Sequence, residues 1–209
     1  ISTLGFRGEA LNAIANASDF KMISKTKTMS EAYELNILFG EVIDFRPSKG
    51  NLGTSILVEE LFKRLPVRKK FLKSEKVENL AIKTFIKKIS LAYPDITFVL
   101  SEDLKEKLYL IGREGKNNLE ARVKEIYGES FFKSSFYAEK NYNEFKVKIY
   151  ASIPTYNVSN WQPTTLIING RIIKDKNFLG VIKAAYAGLL AGNRFPVAII
   201  YLNIKSENV

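Results

Sequence analysis

The chain has 209 residues, of which 46% are apolar and 26% are charged, a composition typical of a globular protein and not of long disorder. It contains no cysteine and no histidine, which excludes disulfides, thiolate nucleophiles, cysteine-ligated metal sites and histidine-based catalysis. Its 32 basic and 22 acidic residues give a net charge of +10, which favours a polyanionic partner such as nucleic acid, nucleotide phosphates or an anionic membrane.

The longest uninterrupted apolar stretch covers residues 195–202, which suits one buried strand and is too short to cross a bilayer. No secretory leader is recognisable ahead of the first elements. The sequence opens at Ile1 rather than at Met and stops at Val209, directly after a predicted strand. We therefore expect the chain to be a piece of a longer protein.

The first half is predicted to form a short helix followed by an antiparallel sheet. A glycine-containing turn over 5–8 leads into an alanine-rich helix over 9–17. Strand-like segments follow over 20–24, 31–39, 41–46 and 54–61. The second of them alternates apolar and polar residues in the period of a half-buried strand. Gly40 marks a hairpin turn, and 49–53 forms a loop.

The pattern changes to a helical period over 77–92. One side of this helix carries Ala81, Phe85, Ile89 and Ala92. The other side carries Lys76, Lys83 and Lys87. Pro94 then ends the helix, and a domain boundary is predicted between residues 93 and 94.

The second half is again α+β. Strands are predicted over 96–101, 108–113, 145–153, 165–173 and 197–204. Helices are predicted over 119–127 and 178–190, with Gly192 placed to cap the second helix. A loop over 157–163 precedes the fourth of these strands. The whole chain therefore reads as α+β without internal repeats.

The turn over 5–8 and the helix start that follows it are a candidate phosphate site. Gly5 and Gly8 permit backbone conformations that a β-carbon would forbid, and they allow a ligand to approach the main chain closely. A helix start also offers unpaired N–H groups and a positive dipole end. The alternative is an ordinary glycine turn that precedes a helix.

Two further segments are candidates with plain alternatives. At Gly53-Thr54, the Thr54 hydroxyl could make one hydrogen bond to a ligand, or the pair could be an ordinary loop-to-strand junction. Asn169-Gly170 predicts a tight hairpin turn, whose basic tip could contact a phosphate backbone or could serve the turn alone.

Most of the excess positive charge lies between residues 61 and 90. This segment contains ten basic residues and only two acids, Glu75 and Glu78. Such a concentration of charge is expected of a polyanion site. The alternative is a solvated lysine-rich helix.

Taken together, four segments resemble conserved motifs of the MutL family of DNA mismatch repair proteins, in its amino-terminal ATPase region. Residues 4–11 (LGFRGEAL) are similar to the family's GFRGEAL motif. Gly53-Thr54, with Val58 and the Leu-Phe pair at 61–62, resembles its GT-x-x-x-V-x-x-LF strand, and residues 65–72 resemble its P-A-R-x-K-F-L segment. Residues 169–171 resemble its V-N-G-R turn. The four motifs occur in the family's order.

The resemblance implies a fold shared with gyrase, the ninety-kilodalton heat-shock chaperone and sensor histidine kinases. Residues 1–93 would be the carboxy-terminal part of a Bergerat-type (GHKL) ATPase sandwich, with its lid and a basic helix. Residues 94–209 would be a second, transducer-like α+β domain of the ribosomal-protein-like type, truncated at its end.

The resemblance also implies an ATP site that this chain contains in part. The lid over the ATP phosphates would consist of Gly5, Phe6, Arg7, Gly8, Glu9, Ala10 and Leu11. Glu9 could instead cap the helix or pair with Arg7. Thr54 would lie near the adenine. The general base, the Mg²⁺ ligand and the adenine-binding loop of the family precede Ile1, and its γ-phosphate lysine follows Val209. We therefore assign no catalytic residue and no metal ligand in this chain, and we expect the 209 residues alone to hydrolyse no ATP.

The implied partners are DNA, single- or double-stranded and contacted through its backbone, and a second copy bound on ATP binding. The DNA-binding residues would be Arg171, Lys174, Arg68, Lys69, Lys70 and Lys73. The other implied protein partners are a mismatch-recognition protein and a downstream nuclease or helicase. No membrane partner is expected. The implied location is the bacterial cytoplasm, at the nucleoid.

Two other functions remain open from the sequence. The chain could be a non-enzymatic, basic α+β module that binds RNA or DNA without nucleotide. It could also belong to another branch of the ATPase superfamily, such as a topoisomerase subunit, which the sequence at 6–11 disfavours.

Overall fold

Residues 9–205 are described in a computed structural model of the chain. The chain divides into two compact units after Glu78. The division falls inside a long helix, α3 (Glu75–Ala92), most of which belongs to the second unit. The domain boundary between 93 and 94 stays a prediction.

The first unit is a helix followed by a four-stranded antiparallel sheet. Its elements are α1 (Ala10–Ala15), β1 (Asp19–Lys25), β2 (Ala32–Leu38), β3 (Glu41–Ser48), β4 (Gly53–Glu59) and α2 (Pro66–Lys70). The strand order is β3-β2-β1-β4. Helix α1 packs on β1, where Phe20 is buried.

The two-residue turn Phe39-Gly40 joins β2 to β3. Leu38 pairs with Glu41, and both turn residues have positive φ, +49° and +95°. Such angles match the right-handed twist of a hairpin, and glycine adopts them without strain. The predicted turn at Gly40 is therefore confirmed.

The second unit is built on a five-stranded mixed sheet. The elements that follow α3 are β5 (Phe98–Glu102), β6 (Lys105–Leu110), α4 (Asn118–Lys133), β7 (Ser135–Asn141), β8 (Phe145–Ser152), β9 (Asn157–Val158), β10 (Thr165–Ile168), β11 (Arg171–Ile173), α5 (Lys176–Ala185), β12 (Phe195–Pro196) and β13 (Ala198–Ile204). The sheet order is β11-β10-β13-β8-β7, with β10 and β13 parallel. Strands β5 and β6 form a separate hairpin.

Both faces of this sheet are covered. On one face a cluster joins helices α3 and α4 to the sheet, through Leu91, Val123, Phe131, Tyr150, Ile167 and Ile199. On the other face α5 packs through Ile182 onto Ala151, Leu166, Ala198 and Ile200. Successive residues of β10 and β13 point to opposite faces, so near-continuous apolar sequence suits this buried position.

The strands of the first unit and the main strands and helices of the second lie where the sequence predicts them, to within a few residues. Four elements were missed: the short helix α2, the edge strand β7 and the two-residue strands β9 and β12. The pairing of β9 with β12 places a short strand at the start of the segment 157–163 that was predicted to be a loop. Helix α5 ends at Ala185 with Tyr186 as its C-cap, so the predicted cap at Gly192 is wrong.

Across residues 9–205, no helix is both long enough and apolar enough to span a membrane.

Candidate functional site

Four of the predicted phosphate-binding residues, Gly5, Phe6, Arg7 and Gly8, lie outside the described residues. The other three lie at the start of α1. Glu9 is the N-cap of this helix and makes no side-chain hydrogen bond to it. Ala10 and Leu11 form its first turn and are exposed. Among the residues that the structure describes, no side chain caps this turn, and N–H groups at a helix start have no acceptor within the helix.

Thr54 lies at the start of β4, directly opposite Ser24 of β1. The two hydroxyl oxygens are 2.9 Å apart, so one hydroxyl donates a hydrogen bond to the other. A hydroxyl can donate once and accept twice, so each of these groups keeps capacity for another polar partner.

The Thr54 side chain shares a sheet face with apolar residues. Register and alternation place Thr54, Ile56 and Val58 of β4 on one face with Met22 of β1. Ile56 and Val58 are exposed. The first unit therefore offers a hydroxyl pair beside apolar side chains, an arrangement that suits the flat ring of a base.

The basic residues predicted around α2 are all exposed. Arg68, Lys69 and Lys70 form the last turn of this helix, where positive charge is favoured by the helix dipole. Lys73 follows, and its backbone N–H donates to the Glu78 carboxylate at 2.9 Å. In the part of the chain that the structure describes, none of these four side chains forms an ion pair. They present unneutralised charge to solvent.

The predicted Asn-Gly turn is present between β10 and β11. Ile168 pairs with Arg171, and Asn169 and Gly170 have φ of +47° and +76°. The Asn169 side chain also bridges to β13, since its Nδ2 donates to the Ile204 carbonyl and its Oδ1 accepts from the Ile204 N–H, both at 2.9 Å. The turn is thus fixed to the sheet. Arg171 begins β11.

Lys174 follows β11 and is exposed. Its charge lies near that of Lys88 of α3, one of the basic residues of the segment 61–90 that the sequence predicts as a candidate polyanion site. Burial, and secondarily the positive charge of Lys174, lowers the pKa of Lys88. The Lys88 ammonium donates to the Thr164 carbonyl at 3.4 Å. Two cations are therefore held close enough in the second unit to repel each other.

The two groups of predicted DNA-binding residues belong to different units. Arg68, Lys69, Lys70 and Lys73 lie in the first unit, and Arg171 and Lys174 lie in the second. Sequence reasoning missed the pairing of Lys88 with Lys174, because these residues are far apart in the chain. No local pattern in the sequence signals this proximity, because it depends on how α3 packs in the second unit.

The first unit also contains a buried ion cluster around Glu34, and its arrangement suits a structural role. Glu34, 4% exposed, lies 3.0 Å from the Lys21 ammonium and 3.1 Å from the Arg46 guanidinium. The hydrogen bond donated by Asn36, together with Lys21 and Arg46, lowers the pKa of Glu34 to about 2. A permanently ionised, fully paired carboxylate is poorly suited to proton transfer.

Residues 9–205 contain no group of three or more Asp or Glu side chains that could hold a metal ion.

Comparison with known proteins finds relatives along the whole chain. The family model described as "DNA mismatch repair protein, C-terminal domain" matches residues 123–209. The curated DNA mismatch repair protein MutL of Rickettsia bellii (strain OSU 85-389) is 36% identical over 211 residues, which include 100% of this chain and 34% of the relative. The chain thus spans about a third of that relative's length.

Solved ATPase domains have a similar fold. The Aquifex aeolicus MutL ATPase domain complexed with ADP superimposes with a TM-score of 0.72 at 25% identity, covering 95% of this chain and 72% of that one. The 43K ATPase domain of Thermus thermophilus gyrase B, in complex with an aminocoumarin, gives a TM-score of 0.52 at 13% identity, covering 96% and 59%. The second likeness concerns the fold alone. These two similarities confirm the predicted α+β class and the predicted likeness of the fold to the ATPase domains of MutL and gyrase.

Proposed function

This chain belongs to the MutL family of DNA mismatch repair proteins, and from that premise we propose that it forms part of a repair protein that uses ATP to control its assembly on DNA. The intact protein binds ATP, dimerises and holds DNA, and it couples mismatch recognition to strand removal. The observation that carries the proposal is the alignment of the whole chain with a curated MutL protein. The similarity to a MutL ATPase domain with ADP supports it.

In this proposal residues 1–93 form the carboxy-terminal part of the ATPase domain. Residues 94–209 form a second, transducer-like domain of the ribosomal-protein-like type. The covered mixed sheet of the second unit, with helices on both faces, is compatible with such a domain.

The ATP site draws two groups of residues from this chain. Gly5, Phe6, Arg7, Gly8, Glu9, Ala10 and Leu11 form the lid over the phosphates. Thr54 contacts the adenine end. The start of α1, which Glu9 does not cap with its side chain, supports the first role, because N–H groups at a helix start can donate to phosphate oxygens. The Ser24–Thr54 hydroxyl pair beside exposed apolar side chains supports the second role.

The rest of the nucleotide chemistry lies outside this chain. Mg²⁺, when bound, would neutralise phosphate charge and stabilise the transition state of hydrolysis. We assign neither its ligand nor the general base to a residue of this chain. We expect the 209-residue chain by itself to hydrolyse no ATP.

DNA is held by basic side chains that contact its backbone. Arg171 and Lys174 contribute from the second unit, and Arg68, Lys69, Lys70 and Lys73 contribute from the first. The exposed, unneutralised charge around α2 supports this assignment. A fixed Asn169-Gly170 turn supports it as well, because it sets the direction of the strand that begins at Arg171.

The same role implies the remaining partners. A second copy joins on ATP binding, and a mismatch-recognition protein and a downstream nuclease or helicase act with the dimer. A bacterial repair protein works in the cytoplasm, at the nucleoid.

The deciding experiment measures the mass of the intact protein by light scattering, with and without a non-hydrolysable ATP analogue and Mg²⁺. We expect a monomer that becomes a dimer with the analogue, and slow Mg²⁺-dependent release of phosphate from ATP. A matched sample with Thr54→Ala should dimerise only at higher analogue concentration.

The alternative is a non-enzymatic basic module that binds nucleic acid without nucleotide. It predicts an unchanged mass and no phosphate release under the same conditions. Salt-dependent DNA binding does not separate the two functions, since both predict a log-linear loss of affinity with salt. A mass that is the same with and without the nucleotide analogue would therefore exclude the ATP-switch proposal.

A further inference from the structure

The turn between β10 and β11 contains the chain's one Asn-Gly sequence, at Asn169-Gly170. Asparagine is a chemically labile residue, and a following glycine makes it most labile, because no side chain hinders the approach of the glycine backbone nitrogen to the asparagine amide. Asn169 is exposed and Gly170 is half-buried, so water reaches this turn. The turn is therefore a candidate site of spontaneous covalent change.

The fold requires both residues of this turn. Asn169 and Gly170 have φ of +47° and +76°, the left-handed backbone that asparagine and glycine adopt most readily. A β-carbon on Gly170 would lie 3.1 Å from the Tyr93 hydroxyl oxygen, so a larger residue there would be both strained and crowded. The sequence that forms the hairpin is thus also the sequence that is open to this chemistry.

Three hydrogen bonds tie Asn169 to the neighbouring strand β13. Its backbone N–H donates to the Leu202 carbonyl at 2.9 Å. Its side-chain Nδ2 donates to the Ile204 carbonyl, and its Oδ1 accepts from the Ile204 N–H, both at 2.9 Å. We call these two side-chain bonds the Ile204 clasp. Because the clasp engages both polar atoms of the amide, the amide carbon cannot swing onto the Gly170 nitrogen until these bonds break.

We infer that Asn169 is a latent deamidation site, which the Ile204 clasp holds closed in the native chain. When the clasp is open, the deprotonated Gly170 nitrogen attacks Cγ of Asn169, the bond from Cγ to Nδ2 breaks, and ammonia leaves, which gives a succinimide ring. Water then opens the ring at one of its two carbonyls and leaves either aspartate or isoaspartate at position 169. Water is the sole co-reactant, and the step involves no oxidation or reduction.

Either product weakens the clasp that protected the site. A carboxylate has no donor for the Ile204 carbonyl, so one of the two bonds is lost and two oxygen atoms face each other. Isoaspartate also adds a methylene group to the main chain, which the tight pairing of Ile168 with Arg171 does not accommodate. A new negative charge then lies two residues from Arg171, and we expect weaker DNA binding. This last consequence alone rests on the proposed function.

The alternative is that the left-handed backbone of the turn prevents the reaction by itself and that the clasp only fixes the hairpin to the sheet. The two explanations differ in one respect. If the clasp protects the amide, breaking the clasp while the fold is intact accelerates deamidation. If the backbone protects it, the same change has no effect on the rate.

The first test incubates the intact protein in mildly alkaline buffer, folded and in urea, and then measures aspartate and isoaspartate at position 169 by digestion and mass spectrometry. We expect conversion to be at least about 10-fold slower in the folded protein, since two hydrogen bonds must break before the ring can close. Asn51, an exposed asparagine followed by leucine, is the internal reference and should stay unconverted in both samples.

The second test breaks one bond of the clasp without touching the Asn-Gly sequence. Ile204→Pro deletes the N–H that bonds to Asn169 Oδ1, at the last residue of β13. Ile204→Val keeps this N–H and is the matched control. Deamidation of folded Ile204→Pro should be about 3-fold or more faster than that of the unmodified protein, and Ile204→Val should react at the unmodified rate. Melting temperatures show whether both variants fold.

A measurement on the unmodified protein gives the same information without a substitution. Hydrogen exchange at the Ile204 amide reports opening of the clasp, because this N–H is bonded to Asn169 Oδ1. In urea concentrations below the unfolding transition, the rate of deamidation should rise in parallel with the exchange rate of this amide. A deamidation rate that stays constant while the exchange rate rises would support the backbone alternative and overturn the inference.

Three other outcomes would also overturn it: equal conversion of Asn169 in the folded and the unfolded protein, no greater conversion at Asn169 than at Asn51 in urea, or a folded Ile204→Pro variant that reacts at the unmodified rate. The effect on DNA is measured separately, on converted protein isolated by ion exchange. If the unmodified protein binds no DNA, the proposed function falls, and the deamidation site is still decided by the peptide analysis alone.

Discussion

The hydroxyl oxygens of Ser24 and Thr54 lie 2.9 Å apart across neighbouring antiparallel strands. Neither residue is buried, so the pair is not part of the hydrophobic core. Each hydroxyl fixes the rotamer of the other, which orients the unused hydrogen-bonding capacity of Thr54 on the apolar face of the sheet. This positioning is what a proposed contact to a nucleotide base requires.

Thr54→Ala in the intact protein should therefore weaken ATP binding by about 3- to 10-fold, the range expected for the loss of one hydrogen bond. Thr54→Ser keeps the hydroxyl and should bind ATP within about 2-fold of the unmodified protein. Ser24→Ala should have a smaller effect than Thr54→Ala, because it removes only the orienting partner. Isothermal titration with the non-hydrolysable analogue measures all three. Equal affinities in Thr54→Ala and the unmodified protein would remove Thr54 from the site.

A second prediction concerns pH and Glu34. Its pKa falls from the ordinary value of 4.5 to about 2 in the folded chain, through the hydrogen bond from Asn36 and the charges of Lys21 and Arg46. A lowered pKa stabilises the fold above the ordinary value, and this contribution is lost as the pH falls from about 4.5 towards 2. Glu34→Gln should lower the melting temperature at pH 7, and the difference from the unmodified chain should shrink below pH 4.5.

Thermal melts followed by circular dichroism between pH 7 and pH 2.5 measure this difference. The matched control is Glu31→Gln, at an exposed carboxylate just before β2. Its melting temperature should follow that of the unmodified chain at every pH. A Glu34→Gln difference that stays constant with pH would show that the ionisation of Glu34 does not contribute.

The strands that the sequence predicted each carry a local signal. Alternation fixed β2, a continuous apolar run fixed β13, and Asn169-Gly170 fixed the turn between β10 and β11. The edge strand β7 was missed because it is mostly exposed on both faces and shows no buried alternation. Helix α2 was missed because its five residues carry no period.

The candidate site was less accessible to sequence reasoning, because its parts meet only through tertiary structure. Thr54 could be singled out by its motif, but its bond to Ser24 depends on the register of β1 with β4. The approach of Lys174 to Lys88 depends on how α3 packs in the second unit. Helical periodicity placed Phe85 on an apolar side, yet periodicity does not tell whether a neighbour covers that side.

Arg122 gives a third prediction, on stability. Its side chain is fully buried, and Nη2 donates to the carbonyls of Pro94, Ile96 and Ile111 at 3.2, 2.8 and 3.0 Å. It also lies 3.7 Å from Glu125. Replacement by a neutral side chain removes the Nη2 donor from three carbonyls and one of the two guanidinium groups that lie near Glu125. Arg122→Met should lower the free energy of unfolding by about 3–5 kcal/mol.

The matched control is Arg113→Met, which removes a half-exposed guanidinium that pairs with the same Glu125 oxygen at 3.3 Å. An exposed pair contributes little, so its cost should stay within about 1 kcal/mol. Urea unfolding followed by circular dichroism compares the two variants. Similar midpoints for Arg122→Met and Arg113→Met would contradict the importance of the buried donor.

The proposed DNA contact of Arg171 yields a fourth prediction. Arg171→Glu in the intact protein should weaken DNA binding and flatten its salt dependence by about 0.9 in log–log slope for each lost phosphate contact. ATP affinity should stay nearly unchanged. Lys105→Glu, the same reversal of charge at an exposed hairpin residue, serves as the control and should leave both the slope and ATP affinity unaltered. Equal loss of DNA and ATP binding in Arg171→Glu would indicate a structural role.

The last prediction separates the turn before Arg171 from its anchor. Asn169 has the left-handed backbone that the turn needs, and its amide also bonds twice to the backbone of Ile204 at the end of β13. Asn169→Gly keeps the backbone freedom and removes both side-chain bonds, so the hairpin should form and β10 should stay paired with β13, but the turn should lose its side-chain anchor on Ile204. We expect faster hydrogen exchange at the amides of β10 and β11, a loss of about 1–3 kcal/mol in unfolding free energy, and weaker DNA binding through Arg171. Asn169→Asp keeps the acceptor for the Ile204 N–H and removes only the donor, so its exchange rates should fall between those of the unmodified chain and Asn169→Gly. If Asn169→Gly exchanges like the unmodified chain and binds DNA equally well, the turn holds Arg171 in place by its backbone alone, and the side chain of Asn169 is not its anchor.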